Sequence, residues 1–207
     1  MPLYDHFHPP LSPDRSWGSF LARWTCAIGD SLNRSLPCPP YFTQIRTRSE
    51  FPDAPRLYTA EVTRSQDEQL LVDGVLELIT PAIKEHEDHG DAFASKIAAY
   101  LDVGIGVLII DIVTNPGNCP HNAIVDRLDQ LSTFDLPSDW SLSAISYRPI
   151  FRDESHHIEI WTERLTLGQP LPTMPLFLRG GICVPMDLES TYAEVCDKFH
   201  IPPSSKD

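Results

Sequence analysis

The sequence predicts an α/β protein in which a mixed β-sheet is flanked by helices. Residues 70–79 and 107–113 are almost entirely apolar, as expected for strands that are buried on both faces of a sheet. Between them, residues 91–102 carry apolar side chains at helical spacing. Strand, helix and strand therefore predict a right-handed βαβ unit at the centre of the fold.

The residues before this unit predict a helix and two further strands. Residues 1–15 are polar and proline-rich, which indicates an arm laid over the surface. Apolar and aromatic side chains recur at intervals of three and four along residues 16–36, as in an amphipathic helix whose aromatic stripe lies in the core. We expect strands at 41–47 and 57–63, with 64–69 as the turn into the strand at 70–79.

The remaining residues predict an exposed acidic loop and a C-terminal extension. Residues 85–91 are rich in acids and histidines and are expected to lead as a loop into the helix at 91–102. Further elements are expected as a helix at 123–131, an antiparallel pair at 143–147 and 156–165, an extended segment at 167–178, a short strand at 182–184 and a helix at 188–199. We divide the chain into the arm (1–15), a core (16–136) and an extension packed on it (137–207), in one domain overall.

The charge of the chain narrows the range of functional classes to which it can belong. The net charge is −13, and the only lysines are at positions 84, 96, 198 and 206. Nucleic-acid binding draws much of its affinity from phosphate neutralisation, so tight binding to nucleic acid is disfavoured, although a local cleft can still be positive. A protein partner or association into a homo-oligomer is compatible with this charge.

The expected compartment is the cytoplasm. No apolar run reaches the roughly 20 residues of a membrane helix, and the longest one contains Asp111. The first residues lack the basic and then apolar pattern of a signal peptide. Five scattered cysteines without a Cys-x-x-Cys pair suit reduced thiols better than disulfides or a zinc site.

Two acids in the buried strands are candidate site residues. Glu77 and Asp111 interrupt otherwise apolar runs near the carboxyl ends of their strands, where ligands of open α/β sheets collect. A buried carboxylate is costly unless a cation, a metal or strong donors meet it. Lys84 follows closely behind the first strand, and Lys96 borders the apolar face of the next helix. These residues can form either a catalytic site or a structural ion-pair network.

The turn into the strand of Glu77 also suggests a position for a third acid. If that turn is centred near residue 66, the antiparallel register places Glu77 opposite residues 55–57. Asp53 then lies near the Glu77 end of the hairpin, while Glu61 lies towards the other end.

The motifs around Glu77 resemble a nuclease superfamily. Residues 76–84, Leu-Glu-Leu-Ile-Thr-Pro-Ala-Ile-Lys, followed by Lys96, Tyr100 and Val-Leu-Ile-Ile-Asp at 107–111, resemble the Uma-type restriction endonucleases of the PD-(D/E)XK superfamily. The element order αβββαβ is also that superfamily's core order. Residues 1–7, 17–20, 77–84, 165–173 and 184–192 further resemble an uncharacterised bacterial family of unknown function.

The resemblance implies a Mg²⁺-dependent phosphodiesterase. Glu77 would be a metal ligand and Lys96 or Lys84 the cation that polarises the attacking water. The superfamily's lysine position, two residues after the glutamate, is Ile79 here, and its acidic strand is missing. Asp53 or Asp111 would have to supply the second metal ligand.

Two functions therefore follow from the sequence. One is a Mg²⁺-dependent nuclease or phosphodiesterase that uses these residues. The alternative is a non-catalytic binding or regulatory module in which they form structural ion pairs. A serine hydrolase is disfavoured because the chain contains no Gly-x-Ser-x-Gly elbow.

Overall fold

Six strands form the central sheet of the computed structural model, which describes residues 1–37, 39–48, 57–128 and 134–201. In spatial order they are β1 (Tyr41–Arg48), β2 (Leu57–Gln66), β3 (Gln69–Leu78), β4 (Gly106–Asp111), β5 (Ser143–Arg152) and β6 (Ser155–Arg164). Strands β3 and β4 are parallel, and all the other neighbours are antiparallel. The prediction that the two apolar runs are interior strands of one mixed sheet is confirmed.

Five helices and a two-stranded ribbon complete the described part of the chain. They are α1 (Trp17–Ser35), α2 (Pro81–Glu85), α3 (Glu87–Asp102), α4 (Pro120–Arg127), β7 (Thr173–Phe177), β8 (Cys183–Asp187) and α5 (Leu188–Lys198). Apart from the short α2, the expected order of helix, three strands, helix and strand is observed. None of the helices in the described ranges is long and apolar enough to cross a membrane.

The sheet is covered on both faces, so it has two cores. Helices α1 and α5 and the β7–β8 ribbon cover one face around Trp24 and Leu76. Helices α3 and α4 cover the other face around Phe93 and Ile109. Side chains alternate along β3, so Glu77 lies on the α3 side between two residues, Leu76 and Leu78, that point to the α1 side.

The register of β2 and β3 differs from the expected one. Glu77 pairs with Thr59 rather than with residues 55–57. The turn is centred on Asp67 and Glu68, both with positive φ as a two-residue hairpin loop of type I′ requires. A bulge at Asp73 then adds one residue to β3, so every pair beyond it is displaced.

The acidic histidine segment at 85–91 is also different from the prediction. It is not a loop, because α3 begins at Glu87 and His86 is its N-cap residue. Glu87 and Asp88 occupy the first turn, where acids interact favourably with the helix dipole. Gly90 lets this turn pack closely against the carbonyl of Ile83, since a Cβ there would lie 3.2 Å from that oxygen.

The N-terminal arm is docked on the fold through buried side chains. Leu3 and His6 are buried, and Leu3 exchanges backbone hydrogen bonds with Gln169 and Gly168 at 2.8 and 2.9 Å. The C-terminal extension is equally integrated, because its first two strands, β5 and β6, continue the central sheet beyond β4.

Candidate functional site

Glu77 lies near the carboxyl end of β3 and is held by a lysine and a hydroxyl. Its side chain is 1% exposed, and its Oε1 lies 3.1 Å from the Nζ of Lys96. The hydroxyl of Thr59, directly opposite on β2, donates to the same oxygen at 3.0 Å. Lys96 is carried by helix α3, which packs on this face of the sheet. The Lys96 ammonium lies 5.0 Å from the ring centre of Phe93. The structure therefore joins two of the predicted site residues, Glu77 and Lys96.

Asp111 and Lys84 form a second ion pair at the carboxyl end of β4. The Lys84 ammonium lies 3.1 Å from Asp111 Oδ2 and donates to the carbonyl oxygens of Val113 and Ser141 at 2.8 and 3.0 Å. These three acceptors match the three N–H donors of a lysine. Asp111 Oδ1 accepts the backbone N–H of Val113 at 3.0 Å. Lys84 thus connects α2 to the segments that follow β4 and precede β5.

Burial dominates the electrostatics of this second pair. Removal from water raises the pKa of Asp111 from its ordinary value of 3.8 to about 6, because the charged carboxylate loses solvation. The positive charge of Lys84 and the hydrogen bond from Val113 oppose that increase without cancelling it. Asp111 is consequently poised to take up a proton in mildly acidic solution.

The two acids share a sheet face but not a cation. Glu77 pairs with Ile109, so Asp111 is two residues further along the neighbouring parallel strand. Strand geometry places their Cα atoms roughly 8 Å apart. Each carboxylate is nevertheless paired with its own lysine, Lys96 or Lys84. Asp53, the third expected metal ligand, lies outside the described residues.

Sequence reasoning missed the contributions of β2. Thr59 and Glu61 point to the same face as Glu77, and Glu61, only 3% exposed, pairs with Arg46 Nε at 3.1 Å. Glu61 is opposite Val75, two residues from the Thr59–Glu77 pair and on the turn side of it, the direction that was expected. The signal was the polar alternation at 59, 61 and 63, which marks one face of a strand.

A third buried polar group lies where the N-terminal arm meets α5. His6 is 4% exposed, and its Nε2 is hydrogen-bonded to the Tyr192 hydroxyl at 2.7 Å, while the backbone N–H of Tyr4 donates to that hydroxyl at 3.0 Å. Burial lowers the pKa of His6 from 6.5 to about 4, so the ring is neutral at pH 7. The sequence predicted an arm laid over the surface here, without a buried histidine.

The side chains around Glu77 in the described part of the chain do not fit a Mg²⁺ site. This ion prefers several carboxylate and water oxygens as ligands in octahedral geometry. A threonine stands beside Glu77, and its hydroxyl donates to the carboxylate that would have to bind the ion. Lys96 supplies the positive charge at that same oxygen. Within the described ranges, no three His, Cys, Asp or Glu side chains are grouped so as to hold a metal ion.

Comparison of the chain with protein-family models, curated proteins and solved structures gives no match.

Proposed function

We propose that this protein is a non-catalytic binding or regulatory module with a PD-(D/E)XK-like core. In this proposal the residues that resemble a nuclease site form a structural ion-pair network. The observation that carries it is the contact of the Lys96 ammonium with Glu77, at 3.1 Å, on a carboxylate that also accepts a hydrogen bond from Thr59. A lysine and a hydroxyl together meet the requirement of a buried carboxylate for positive charge and hydrogen-bond donors.

The strand position opposite Glu77 supports this proposal. In the nucleases that the chain resembles, an aspartate on the second strand shares a cation with the glutamate of the third. The residue of β2 that faces Glu77 is Thr59, which brings a donor and no negative charge. A metal ion at Glu77 would have to displace Lys96 from the carboxylate oxygen that it contacts.

The second ion pair supports the same conclusion. Lys84 is 5% exposed, and its three donors are directed to Asp111 and to two backbone carbonyls. Such a lysine stabilises the junction of three segments and has no donor left for a water or a phosphate. Replacing either partner of a buried ion pair is strongly destabilising, as expected of residues that are retained for structure.

The overall charge favours a protein over a nucleic acid as the partner. With −13 charges the chain repels a phosphate backbone, and such binding depends on phosphate neutralisation. Protein recognition does not require a basic surface, because typical interfaces combine apolar and polar area.

Metal titration of the wild-type protein tests this proposal. A ligand that binds only the folded state raises the melting temperature by mass action. We expect no rise when Mg²⁺ or Mn²⁺ is added to metal-free protein, beyond the response of Glu77→Gln, which lacks the only carboxylate at the first ion pair. A rise that this variant abolishes would overturn the proposal in favour of the alternative, a Mg²⁺-dependent phosphodiesterase.

A further inference from the structure

Strand β6 forms one edge of the central sheet and is unusually regular for an edge. Its ten residues pair with β5 without a register shift, from Arg152 and Ser155 at the turn to Ser143 and Arg164 at the other end. Most of its residues are exposed, and it contains no proline and no lysine. Proteins usually protect an edge with a bulge, a proline or a lysine, because a free edge pairs readily with another strand.

The register shows which backbone groups of β6 face away from the sheet. In a two-residue hairpin, the pair that closes the turn is hydrogen-bonded, and such pairs then alternate along the ladder. The odd-numbered residues of β6 therefore bond to β5. This phase agrees with the bond from Leu165 N to Leu142 O at 3.1 Å and with Pro149, which has no N–H and lies at a non-bonded pair opposite Ile158.

It follows that the even-numbered residues of β6 direct their N–H and C=O groups outward. They are His156, Ile158, Ile160, Thr162 and Arg164. No other strand in the described part of the chain pairs with this edge. At the rise of an extended strand, these outward backbone groups extend over about 30 Å, which is enough for a continuous intermolecular ladder.

We propose that two copies of this chain associate through β6, in antiparallel pairing about a two-fold axis at Ile160. The two six-stranded sheets then form one continuous sheet of twelve strands. Such an isologous contact stops at the dimer, because each β6 edge is then fully paired with the other. This inference is independent of the proposed function, since β6 contains none of the residues of the two ion pairs.

The charges of β6 disfavour the two registers adjacent to this one. With Ile160 on the axis, Ile160 pairs with its own copy, and His157 pairs with Glu163 of the partner subunit. Moving the axis to residue 159 would place Glu159 opposite the partner's Glu159. Moving it to residue 161 would place Glu159 opposite the partner's Glu163. Like charges directly opposite each other destabilise a strand pair.

Apolar side chains along the edge favour the same association. Ile158 and Ile160 are half-buried on the α3 side, and Phe151 of β5, on that face, is 67% exposed. Trp161, on the opposite face, is 38% exposed and packs against Phe177, with ring centres 4.5 Å apart and the rings tilted by 36°. Pairing of the two edges covers part of this apolar surface on both faces, which adds to the ladder hydrogen bonds.

Sedimentation of the full-length protein tests the association. We expect a dimer at about 100 µM protein. Thr162→Pro should give a folded monomer, because it removes an outward N–H that β5 does not use. Thr162→Lys gives the same result by introducing a charge into the interface and serves as the second variant if the proline disturbs the strand.

The opposite edge of the sheet provides the matched control. Thr47 of β1 is also exposed, and its N–H also faces outward, because the bond from Ser65 N to Pro40 O fixes the phase of β1 and β2. Thr47→Pro should remain dimeric. A monomeric wild type, or a dimer that persists in both Thr162 variants, would overturn the proposal.

Cross-linking tests the register. Hydrogen-bonded antiparallel partners have Cα atoms about 5.5 Å apart, within the range of a disulfide. Ile160→Cys should therefore give an oxidised dimer well above the background of the native cysteines in the wild type, whereas Glu159→Cys should not. Stronger cross-linking of the residue 159 variant would contradict an axis at Ile160.

Discussion

Thr59 and Glu77 face each other across β2 and β3, and the threonine hydroxyl donates to the glutamate at 3.0 Å. The hydroxyl gives a hydrogen bond to a carboxylate that is only 1% exposed. Together with Lys96 it supplies positive charge and a hydrogen bond from within the protein, whereas in a metal-dependent nuclease a metal ion supplies the positive charge at such a carboxylate. The strand position opposite the glutamate therefore separates the two functions that the sequence allows.

Thr59→Asp should create a metal response that the wild type lacks. Two carboxylates would then lie side by side, and their repulsion should lower the melting temperature of the metal-free variant. Mg²⁺ or Mn²⁺ should restore it by binding between them. Thr59→Asn has a similar shape without the charge and should show no metal response. An unresponsive Thr59→Asp variant would show that more than this residue separates the chain from a metal site.

Removing Lys84 should be far more costly than removing an exposed lysine. Lys84→Met leaves Asp111 and two carbonyls without their donor, so the free energy of unfolding should fall by about 3–5 kcal/mol. The matched control is Lys198→Met, which breaks an ion pair with Glu194 whose side chains are 51% and 41% exposed and should cost at most about 0.5 kcal/mol. Urea unfolding of both variants measures the difference. Equal losses would contradict a structural role for Lys84.

Asp111 should make the protein more stable as the pH falls from 6 towards 4. Its folded-state pKa of about 6 lies above its ordinary value of 3.8, so the folded state binds more protons in this window. The contribution is about 1.4 kcal/mol per pH unit inside the window. It is isolated by subtracting the unfolding free energy of Asp111→Asn from that of the wild type at each pH. A difference that decreases on acidification would mean that Lys84 lowers the pKa of Asp111.

His6 should make the protein less stable as the pH falls. Its folded-state pKa of about 4 lies below its ordinary value of 6.5, so the unfolded state binds more protons between these values. The wild type should therefore lose stability through His6 as the pH falls from 6.5 to 4, by up to about 3 kcal/mol. The difference between wild type and His6→Gln should decrease over that range. A constant difference would show that the ring is not buried in its neutral form.

The sequence was sufficient for the elements whose pattern follows directly from burial. The runs at 70–79 and 107–113 have no polar alternation because helices or the ribbon cover both faces of β3 and β4. The aromatic spacing of α1 likewise follows from its contact with the core around Trp24 and Tyr192. Glu77 and Asp111 were conspicuous as site residues because each interrupts such a run.

The contacts that decide the function could not be predicted because they depend on register. The bulge at Asp73 helps to place Thr59 opposite Glu77, and although Gly74 is a signal for a bulge, it does not fix the resulting register. The acid that each lysine contacts could not be predicted either. Lys84 is seven residues and Lys96 nineteen residues from Glu77 along the chain, and only the packing of α2 and α3 assigns Lys84 to Asp111 and Lys96 to Glu77.

The stability of metal-free Glu77→Gln, compared with the wild type by urea unfolding, tests the central claim most directly. If Glu77 and Lys96 form a structural pair, the variant removes the carboxylate that lies 3.1 Å from the ammonium of a lysine only 13% exposed. We predict a loss on the order of 3 kcal/mol in the free energy of unfolding. If Glu77 is a metal ligand, the neutral amide instead relieves an uncompensated negative charge. Unchanged or increased stability of Glu77→Gln in the absence of metal would contradict the structural ion pair.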